Sequence, residues 1–519
     1  MKYDVIVIGA GSGGGALATR LAEDPNRSVL LLEAGPDYQD LEQTPDDLKF
    51  GYAPRASEMG APHNWSFTGK GSATRSEDVV VPRGKVVGGT SAINGQVFLR
   101  GVPEDYDSWA EWGNDEWSFV KCLPFFRKLE TDTDIVDDFH GFDGPVPVRR
   151  HRREAWLPLQ EAFHVSAMAS GYAEVYDHNH PDSTGVGPLP MNNPNGVRMS
   201  TALTYITNNR HRLNFTIRAN VLVRRILFDN GSTGSPRAVG AEVESGGETF
   251  TVEGEQVVLC AGAVASPQIL MLSGVGPAGH LQEMGVPVVK DLPGVGQNLR
   301  DHPLCAVRVK TRPGFPLDPD APRIQTVLRY TASGSDLRND MQILPSSFST
   351  PLGGDPYAEE GIRFTCILEL AKSSGEIKLR STTPGDNPDI NCRHLEEEFD
   401  RQRMREAIRM SFQFMEHDSF SDIVEEAISP TREEIQSDDA LDAWMLETVD
   451  IGQHLSGTCK MGPGSDPMAV VDQFGRVHGI AGLRVADASV MPDVIRANTN
   501  LTTIMIGERV ADWIIQQAG

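Results

Sequence analysis

The residues best suited to chemistry lie at the start of the chain, in the segment VIVIGAGSGGGALATRL. Gly9, Gly11 and Gly14 follow the apolar run 5–8 in the spacing G-x-G-x-x-G. In this motif the first glycine lets the backbone turn, the second lets a pyrophosphate approach, and the third lets the next helix pack on the strand. That helix would direct its free N–H groups and the positive end of its dipole at the phosphates. The segment therefore predicts a dinucleotide site.

A carboxylate follows where ribose recognition needs one. The apolar run 28–32 ends in Glu33, which lies 19 residues beyond Gly14, close to the offset of about 20 residues in dinucleotide-binding units. An acid at this point binds the ribose hydroxyls and disfavours a 2′-phosphate, so NADP is a poor candidate. The motif alone leaves both NAD and FAD open.

A second glycine-rich segment, VPRGKVVGGTSAINGQVFLRG, spans residues 81–101. Each glycine inside a regular element costs about 0.5–1 kcal/mol relative to alanine, so we expect a loop. The segment is unusually apolar for a surface loop, which favours close approach of its backbone to a flat or charged group. Upstream, Trp65 is either a packing aromatic or a neighbour of the cofactor.

Size and charge bound the class of protein. With 519 residues the chain exceeds the roughly 250–300 residues that one core supports, so two or more lobes are expected. Its 39% hydrophobic and 23% charged residues are typical of a globular protein. A net charge of −25 argues against a nucleic-acid partner. The basic cluster 149–153 is the exception, and we interpret it as a solvated turn between lobes.

The cysteines and the apolar runs indicate the compartment. The six cysteines show neither C-x-x-C nor zinc spacing, so we expect no metal site and predict reduced, mostly buried thiols in a cytoplasmic protein. The apolar N-terminus carries Asp4 and leads directly into the glycine motif, which fits a first strand better than a signal peptide. No apolar run reaches 18 residues, so no membrane span is predicted.

The remaining pattern predicts a mixture of helices and strands. Residues 105–130 favour a helix, a turn and a helix, and the segment from Arg198 favours another helix. Residues 215–229 are typical of a strand pair, and 238–262 of a hairpin with a Gly-Gly turn and a buried strand. The middle, 302–450, combines β runs with amphipathic helices from Glu396 to Thr448. The C-terminal segment predicts a strand, a loop and an apolar helix.

Three blocks resemble the glucose–methanol–choline (GMC) oxidoreductase family. They are the glycine motif with LLLEAG, the pair RGKVVGGTSAING and SPQILMLSGVGP, and the C-terminal QHLSGTCKMG with VADASVMPDVIRANTNLTTIMIGE. The C-terminal block looks like choline-dehydrogenase-like and hydroxymethylfurfural-oxidase-like alcohol oxidases. The resemblance implies FAD rather than NAD. It also implies an α/β fold with two lobes. A Rossmann-like FAD lobe is formed by residues 1–155, 210–301 and 452–519. A discontinuous α+β substrate lobe, built on an antiparallel sheet, is formed by residues 156–209 and 302–451.

The resemblance also implies which residues hold FAD. Gly9, Gly11, Ser12 and Gly14 would hold the pyrophosphate, and Glu33 with Ala34 the ribose. The expected contacts elsewhere on the cofactor come from Trp65, from Val87, Thr90, Asn94, Gly95 and Val97 in the second glycine-rich segment, from the backbone of Val223 at the adenine, from Asp487 and Ala488 near the phosphate and ribose, and from Asn498 and Thr499 beside the ring. Some relatives tether the flavin through a histidine where this chain has Ile93, so we expect non-covalent FAD.

Two catalytic residues follow from the same resemblance. His454 matches the family's base, and imidazole suits proton transfer near neutrality. Asn498 would hydrogen-bond the substrate oxygen, with Asn500 as its competitor for that role. His302 and His478 have no such support and are interpreted as structural. Where many relatives carry an aromatic residue before the catalytic histidine, this chain has Gln453, which indicates a more polar pocket wall.

The predicted function is FAD-dependent oxidation of a primary alcohol to the aldehyde by hydride transfer to the flavin. Dioxygen or another acceptor, such as a quinone-like carrier, would reoxidise the flavin. Three alternatives stay open: a lyase resembling hydroxynitrile lyases that keeps FAD as a structural part, a fatty acid photodecarboxylase, and a binding protein on a degenerate flavoprotein fold. The identity of the alcohol is also open.

Overall fold

Two seven-stranded sheets organise the protein. The computed structural model describes residues 2–51, 55–229, 234–318, 320–348 and 361–517. Each sheet has its own large hydrophobic core, as expected for a chain of this length. We call the two sheets the cofactor sheet and the roof sheet. The lobe boundaries predicted above stay a prediction.

The cofactor sheet is built around the first strand. Its main strand order is Phe215–Arg218, Val29–Leu32, Lys2–Ile8, Glu248–Leu259, Arg237–Ser245 and Leu222–Asp229, and Leu483–Val485 pairs with Glu248–Leu259. The four strands beginning at residues 2, 29, 215 and 483 run parallel to their neighbours. Strands 222–229 and 237–245 are antiparallel additions. The carboxyl ends of the parallel strands therefore share one edge, where an α/β sheet binds ligands.

The strands predicted over residues 215–229 both form, but they do not pair with each other. They lie at opposite ends of the strand order. The chain leaves the first of them at Asn220, which has φ 55°, and the Val221 N–H then donates to the Glu33 carbonyl. By contrast the predicted hairpin is confirmed, with a turn at Gly246 and Gly247 whose φ angles are 59° and 82°, the region that glycine adopts freely.

The roof sheet is antiparallel throughout. Its strand order is Val424–Ser429, Pro303–Thr311, Gly361–Leu368, Met341–Ser346, Thr326–Tyr330 and Gly185–Pro188, with Asp450–Ile451 paired to the start of Pro303–Thr311. Burial alternates along Pro303–Thr311, where the odd-numbered residues are buried and the even-numbered ones half-buried. Because strand side chains alternate between faces, one face packs in the core and the other is free to line a cavity.

Ten α-helices are described, and they connect or cover the two sheets. Their bounds are Ser12–Leu21, Asp46–Lys49, Pro103–Glu111, Phe119–Leu129, Pro158–Ala169, Gly262–Leu272, Ala278–Glu283, Glu398–Met415, Asp438–Thr448 and Asn500–Gln517. Four two-stranded sheets complete the described elements: Phe67–Gly69 with Val79–Val81, Glu130–Asp132 with Val146–Val148, Val275–Gly276 with Lys290–Asp291, and Glu376–Lys378 with Asp389–Asn391.

The helix predicted from Arg198 is reduced to the π-type turn Ala202–Ile206 and a short 3₁₀ turn. Its serine and threonine residues bond elsewhere, since the Thr201 N–H donates to Ser91 Oγ at 3.0 Å. Such side-chain bonds compete with a helical ladder. The strand Val424–Ser429 likewise interrupts the region predicted to be helical.

The interpretation of the basic cluster 149–153 as a solvated turn is wrong for Arg150 and His151, which are buried. Arg150 is 7% exposed and pairs with Asp132 at 2.9 Å and Asp177 at 2.6 Å. The positive charge of Arg150 is therefore paired with carboxylates inside the protein. The cysteine prediction fits better, since all six are free and buried. None of the described helices is long and apolar enough to cross a membrane.

Candidate active site

The glycine motif forms a tight turn between the first strand and the first helix. Gly9 has φ 99°, which side chains other than hydrogen rarely allow. A Cβ on Gly14 would lie 2.0 Å from the Gly9 carbonyl oxygen, so the helix packs as closely as the motif predicts. The helix Ser12–Leu21 begins directly after this turn, and its first N–H groups have no partner within the helix. These N–H groups are therefore placed to donate hydrogen bonds to an anion.

Glu33 lies beside this turn and is tied to it. Its carboxylate accepts hydrogen bonds from the backbone N–H groups of Ala10 (3.1 Å) and Gly35 (3.0 Å). Burial raises the pKa of Glu33 to about 7, although these hydrogen bonds oppose the rise. The carboxylate also lines a cavity, so it is positioned to accept from hydroxyl groups in that cavity.

The second glycine-rich segment packs directly on the glycine turn. A Cβ on Gly89, which has φ 52°, would lie 2.5 Å from the Gly11 Cα. Thr90 Oγ1 accepts from the Gly84 N–H at 3.2 Å. The segment is therefore a loop held against the first helix, as its glycine content predicts.

A central cavity of about 340 Å³ connects these parts. Sixteen of the predicted site residues line it: Gly9, Gly11, Ser12, Glu33, Ala34, Trp65, Thr90, Asn94, Gly95, Val97, Val223, His454, Asp487, Ala488, Asn498 and Thr499. Gly14 and Val87 are not among its lining residues. Gly14 faces the Gly9 carbonyl and Cys260, and Val87 is 3% exposed in the main core.

Trp65 packs on a neighbouring aromatic ring and also borders the cavity. Its ring stacks on Phe67 with centroids 5.6 Å apart and planes 5° apart, and Lys85 Nζ lies 4.6 Å from its centroid. It also lines the central cavity.

His454 and Asn498 meet at the cavity wall. Asn498 Nδ2 lies 2.9 Å from His454 Nε2. On the other side of the ring, His454 Nδ1 lies 2.9 Å from His302 Nδ1. His302, which the sequence analysis interprets as structural, therefore contacts His454 directly. His478 lies elsewhere, with Nε2 3.1 Å from the Gly462 carbonyl oxygen.

These contacts assign the protons. His302 Nε2 lies 2.9 Å from the Ile495 carbonyl oxygen, which only accepts, so Nε2 carries a proton. Burial lowers the pKa of His302 to about 3, so the ring is neutral and its Nδ1 is an acceptor. His454 Nδ1 must then donate, which leaves His454 Nε2 without a proton, accepting from the Asn498 amide. The unprotonated nitrogen is the one beside Asn498, which lines the cavity.

Two buried carboxyl groups lie around the histidine pair. The Asp301 carboxylate accepts from the backbone N–H groups of His454 (2.7 Å) and Gly452 (3.0 Å). Glu369 Oε2 lies 3.3 Å from His302 Nδ1. Because burial raises the pKa of Glu369 to about 8, this carboxyl group is mostly protonated at neutral pH and does not require a charged His302.

His454 itself is a base in its neutral form. Burial, followed by the effects of His302 and Arg83, lowers the pKa of His454 well below its usual value. At neutral pH the ring is therefore ready to accept a proton.

Pairing of distant strands creates this contact, which explains why the sequence does not reveal it. Pro303 pairs with Ile451 and Leu304 with Asp450. His302 precedes one of these strands and His454 follows the other, so the two rings meet. The Asp-His dipeptide at 301–302 was the only local signal, and it has no spacing relation to residue 454.

The cavity also fits a large polar cofactor on structural grounds. Asn498 Oδ1 and Asn500 Nδ2 are buried and have no hydrogen-bond partner among the described residues, and both residues line the cavity. Asn500 Oδ1 accepts from Ser12 Oγ at 2.7 Å, so Asn500 contacts the glycine motif, whereas Asn498 contacts His454. Buried amide groups of this kind require a partner, and a polar ring with its phosphates would supply it.

Comparisons with known proteins point to one family. Models of the GMC oxidoreductase family match residues 3–304 and 371–507. An oxygen-dependent choline dehydrogenase from Escherichia coli strain SMS-3-5 is 38% identical over 547 aligned residues, covering 99% of this chain and 94% of that protein. The structure of pyridoxine 4-oxidase from Mesorbium loti is 28% identical with a TM-score of 0.91, covering 99% of both chains. A fungal aryl-alcohol oxidase, 23% identical with a TM-score of 0.85 and covering 100% of this chain and 99% of its own, is similar in fold.

Proposed function

Because the chain belongs to the GMC oxidoreductase family, an FAD-dependent family of alcohol-oxidising enzymes, we propose that it converts a primary alcohol to the aldehyde. The observation that carries this proposal is the 2.9 Å contact between His454 Nε2 and the Asn498 amide nitrogen, with both residues on the cavity wall. A proton acceptor next to a hydrogen-bond donor is what alcohol oxidation requires at the hydroxyl group.

His454 acts as the base in this proposal. Its Nε2 takes the hydroxyl proton, and the Nδ2 group of Asn498 donates to the substrate oxygen as negative charge develops there. His302 is a positioning residue, since its Nδ1 accepts from His454 and fixes the tautomer. When bound, FAD supplies the acceptor for the hydride that leaves the alcohol carbon.

The glycine turn and the second glycine-rich segment hold FAD in this proposal. Gly11, Ser12 and the start of the first helix would bind the pyrophosphate, Glu33 the ribose, and Asn498 with Thr499 the ring edge. Ile93 is buried and lines the cavity. It has no nucleophilic atom, which supports non-covalent attachment.

We further propose dioxygen as the acceptor that reoxidises the flavin. The relatives support it, since they include an oxygen-dependent choline dehydrogenase and a pyridoxine 4-oxidase. A quinone-like carrier is the alternative that the experiment below distinguishes.

The test is an alcohol panel mixed anaerobically with the FAD-loaded protein while the flavin absorbance is followed. Bleaching by primary alcohols supports the proposal, and no bleaching by any alcohol refutes it. Cyanide release from hydroxynitriles without bleaching would support a lyase instead. Aerobic turnover with hydrogen peroxide detection, repeated with an artificial acceptor, then distinguishes dioxygen from a quinone-like carrier.

A further inference from the structure

The roof sheet turns one of its faces towards the central cavity. In the strand Gly361–Leu368, alternate residues Arg363, Thr365 and Ile367 line the cavity, whereas the intervening residues pack in the roof core. Because side chains alternate between the two faces of a strand, the residues that line the cavity mark successive distances along one wall. We call this side the cavity face of the roof sheet.

The neighbouring strands give this wall a direction. Leu304, two residues after His302, pairs with Ile367, so Ile367 marks the end near the histidine pair. Thr365 is two residues further along the same strand, and Ser346 lies opposite the residue that is four positions further along. At about 3.4 Å per residue in an antiparallel strand, Thr365 and Ser346 are roughly 7 Å and roughly 13 Å from that end.

Two buried hydroxyl groups on the cavity face lack a hydrogen-bond partner among the described residues. Ser346 lines the cavity and is 1% exposed, and its Oγ is buried without a partner. Thr365 also lines the cavity and is 7% exposed, and no described residue forms a hydrogen bond with its Oγ1. A buried hydroxyl group without a partner is costly, and the large majority of such groups in folded proteins are paired. These two groups therefore indicate that a molecule in the cavity pairs with them.

The rest of this wall separates the two hydroxyl groups from the histidine pair by aliphatic side chains. Leu304, Leu344 and Ile367 line the cavity, and Leu344 is directly opposite Thr365. Arg363 lines the cavity at the far end, but it has an interaction of its own within the protein. The inference below therefore assigns no charge and no available guanidinium group to this wall, and it uses the hydroxyl groups alone.

We propose that the cavity face binds a second, uncharged hydrogen-bonding group of the substrate, so that the substrate is a primary alcohol with a hydroxyl or carbonyl group remote from the hydroxyl that reacts. This inference rests on the proposed function. Serine and threonine hydroxyl groups both donate and accept, which suits them to a neutral partner of either kind. The carbon chain between the two ends of the substrate would lie along Leu304, Leu344 and Ile367.

Such a site should discriminate against an alcohol that lacks the second group. When an apolar end enters instead, the hydroxyl groups of Ser346 and Thr365 lose water and stay unpaired, which is the strongest basis for rejecting an analogue without a polar group. A cavity that recognises only apolar surface has the opposite preference, because burying a methyl group is favourable. The sign of the preference therefore tests the inference.

The test compares alcohols that differ only in the remote group. The diols are hexane-1,6-diol and octane-1,8-diol, and the matched monoalcohols, heptan-1-ol and nonan-1-ol, carry a methyl group in place of the second hydroxyl. The value of kcat/KM is expressed per hydroxyl group, because each diol has two equivalent ends. We expect at least one diol to exceed its matched monoalcohol by about tenfold or more, the effect of pairing a buried polar group that otherwise stays unpaired.

Variants of the two hydroxyl residues assign the preference to the cavity face. Thr365→Val and Ser346→Ala each remove one hydroxyl group, and the diol-to-monoalcohol ratio of kcat/KM should fall about fivefold or more in at least one of them. Thr365→Ser keeps the hydroxyl group and should keep the preference. The matched control is Ser411→Ala, which removes a buried hydroxyl group on the core side of the same strand, where Ser411 Oγ lies 3.4 Å from Cys366 Sγ. This control should keep the wild-type ratio.

The outcomes separate this inference from the proposed function. A ratio of one or less for both diols, or an unchanged ratio in folded, FAD-loaded Thr365→Val and Ser346→Ala, overturns the inference, while oxidation of the monoalcohols keeps the proposed function. Loss of FAD from both variants assigns the hydroxyl groups to cofactor binding and overturns the inference as well. If no alcohol reduces the flavin, the proposed function fails and the inference fails with it.

Discussion

Replacing His302 with leucine tests the proton assignment at the centre of the site. The change keeps an apolar side chain of moderate size but removes two hydrogen bonds, one from His454 Nδ1 and one to the Ile495 carbonyl oxygen, both 2.9 Å long. His454 then has a buried N–H without an acceptor and loses the contact that keeps its Nε2 free of a proton.

The size of the effect follows from the cost of that unsatisfied group. A buried donor without a partner costs about 1–3 kcal/mol, and each 1.4 kcal/mol is tenfold. Flavin reduction by a primary alcohol should therefore slow by about 5-fold to 150-fold in His302→Leu. His454→Ala removes the base itself and should slow it by about 10² to 10⁴. The order of the two variants is as informative as the values.

Anaerobic stopped-flow measurement of flavin bleaching at saturating alcohol is the assay, with bound FAD quantified in each variant. His478→Leu is the matched control, because His478 makes a similar bond to a carbonyl oxygen, that of Gly462, away from the cavity. An FAD-loaded His302→Leu protein that reduces its flavin at the wild-type rate would refute the assignment. So would an equal loss in His478→Leu, because that would indicate a general effect on folding.

Three further predictions address the base, the fold and the buried acids. Since the pKa of His454 is well below its usual value, kcat/KM should stay flat through neutral pH and fall only in acid, and an acid limb above pH 7 would contradict this. Gly14→Ala should abolish FAD retention or folding, because its Cβ would lie 2.0 Å from a carbonyl oxygen. The control is Gly279→Ala, which has open space around its Cβ and should melt at or above the wild-type temperature. Burial raises the pKa of Glu369 from 4.5 to about 8, so the wild-type protein loses stability as pH rises through that interval. Between pH 5 and pH 9 the free energy of unfolding of Glu369→Gln should therefore increase by on the order of 1 kcal/mol or more relative to wild type. Chemical unfolding measures this difference, and the exposed Glu425→Gln should show no such gain.

The cofactor half of the site could be predicted because its geometry is local. The turn at Gly9 and the close packing at Gly14 are properties of adjacent residues, and the offset to Glu33 is fixed by the length of one helix and one strand. The family resemblance added FAD and the GMC fold, and the family match confirms both. The Gly-Gly hairpin was predictable for the same local reason.

The substrate half could not be predicted because its contacts join distant segments. Nothing local relates His302 to His454, whose meeting depends on the pairing of Pro303 with Ile451. The same holds for Arg363, which faces the cavity only because of the register of the roof sheet. The two strands over 215–229 were predicted as a pair because adjacent strands often pair, and here the first strand of the chain and its neighbours separate them.

The environment of His454 and Asn498 also bears on the order of events in the proposed reaction. Asn498 carries no charge, His302 is neutral, and Glu369 is mostly protonated at neutral pH, so the one charge that develops on the protein side is the imidazolium of His454. In the proposed reaction a base whose pKa is well below its usual value would take the proton of a hydroxyl group whose pKa is close to the roughly 15.7 of water, so full proton transfer between them is strongly uphill. The amide hydrogen bond from Asn498 reduces this cost but does not remove it. In the proposed reaction a free alkoxide therefore does not accumulate at the cavity wall before the adjacent C–H bond breaks.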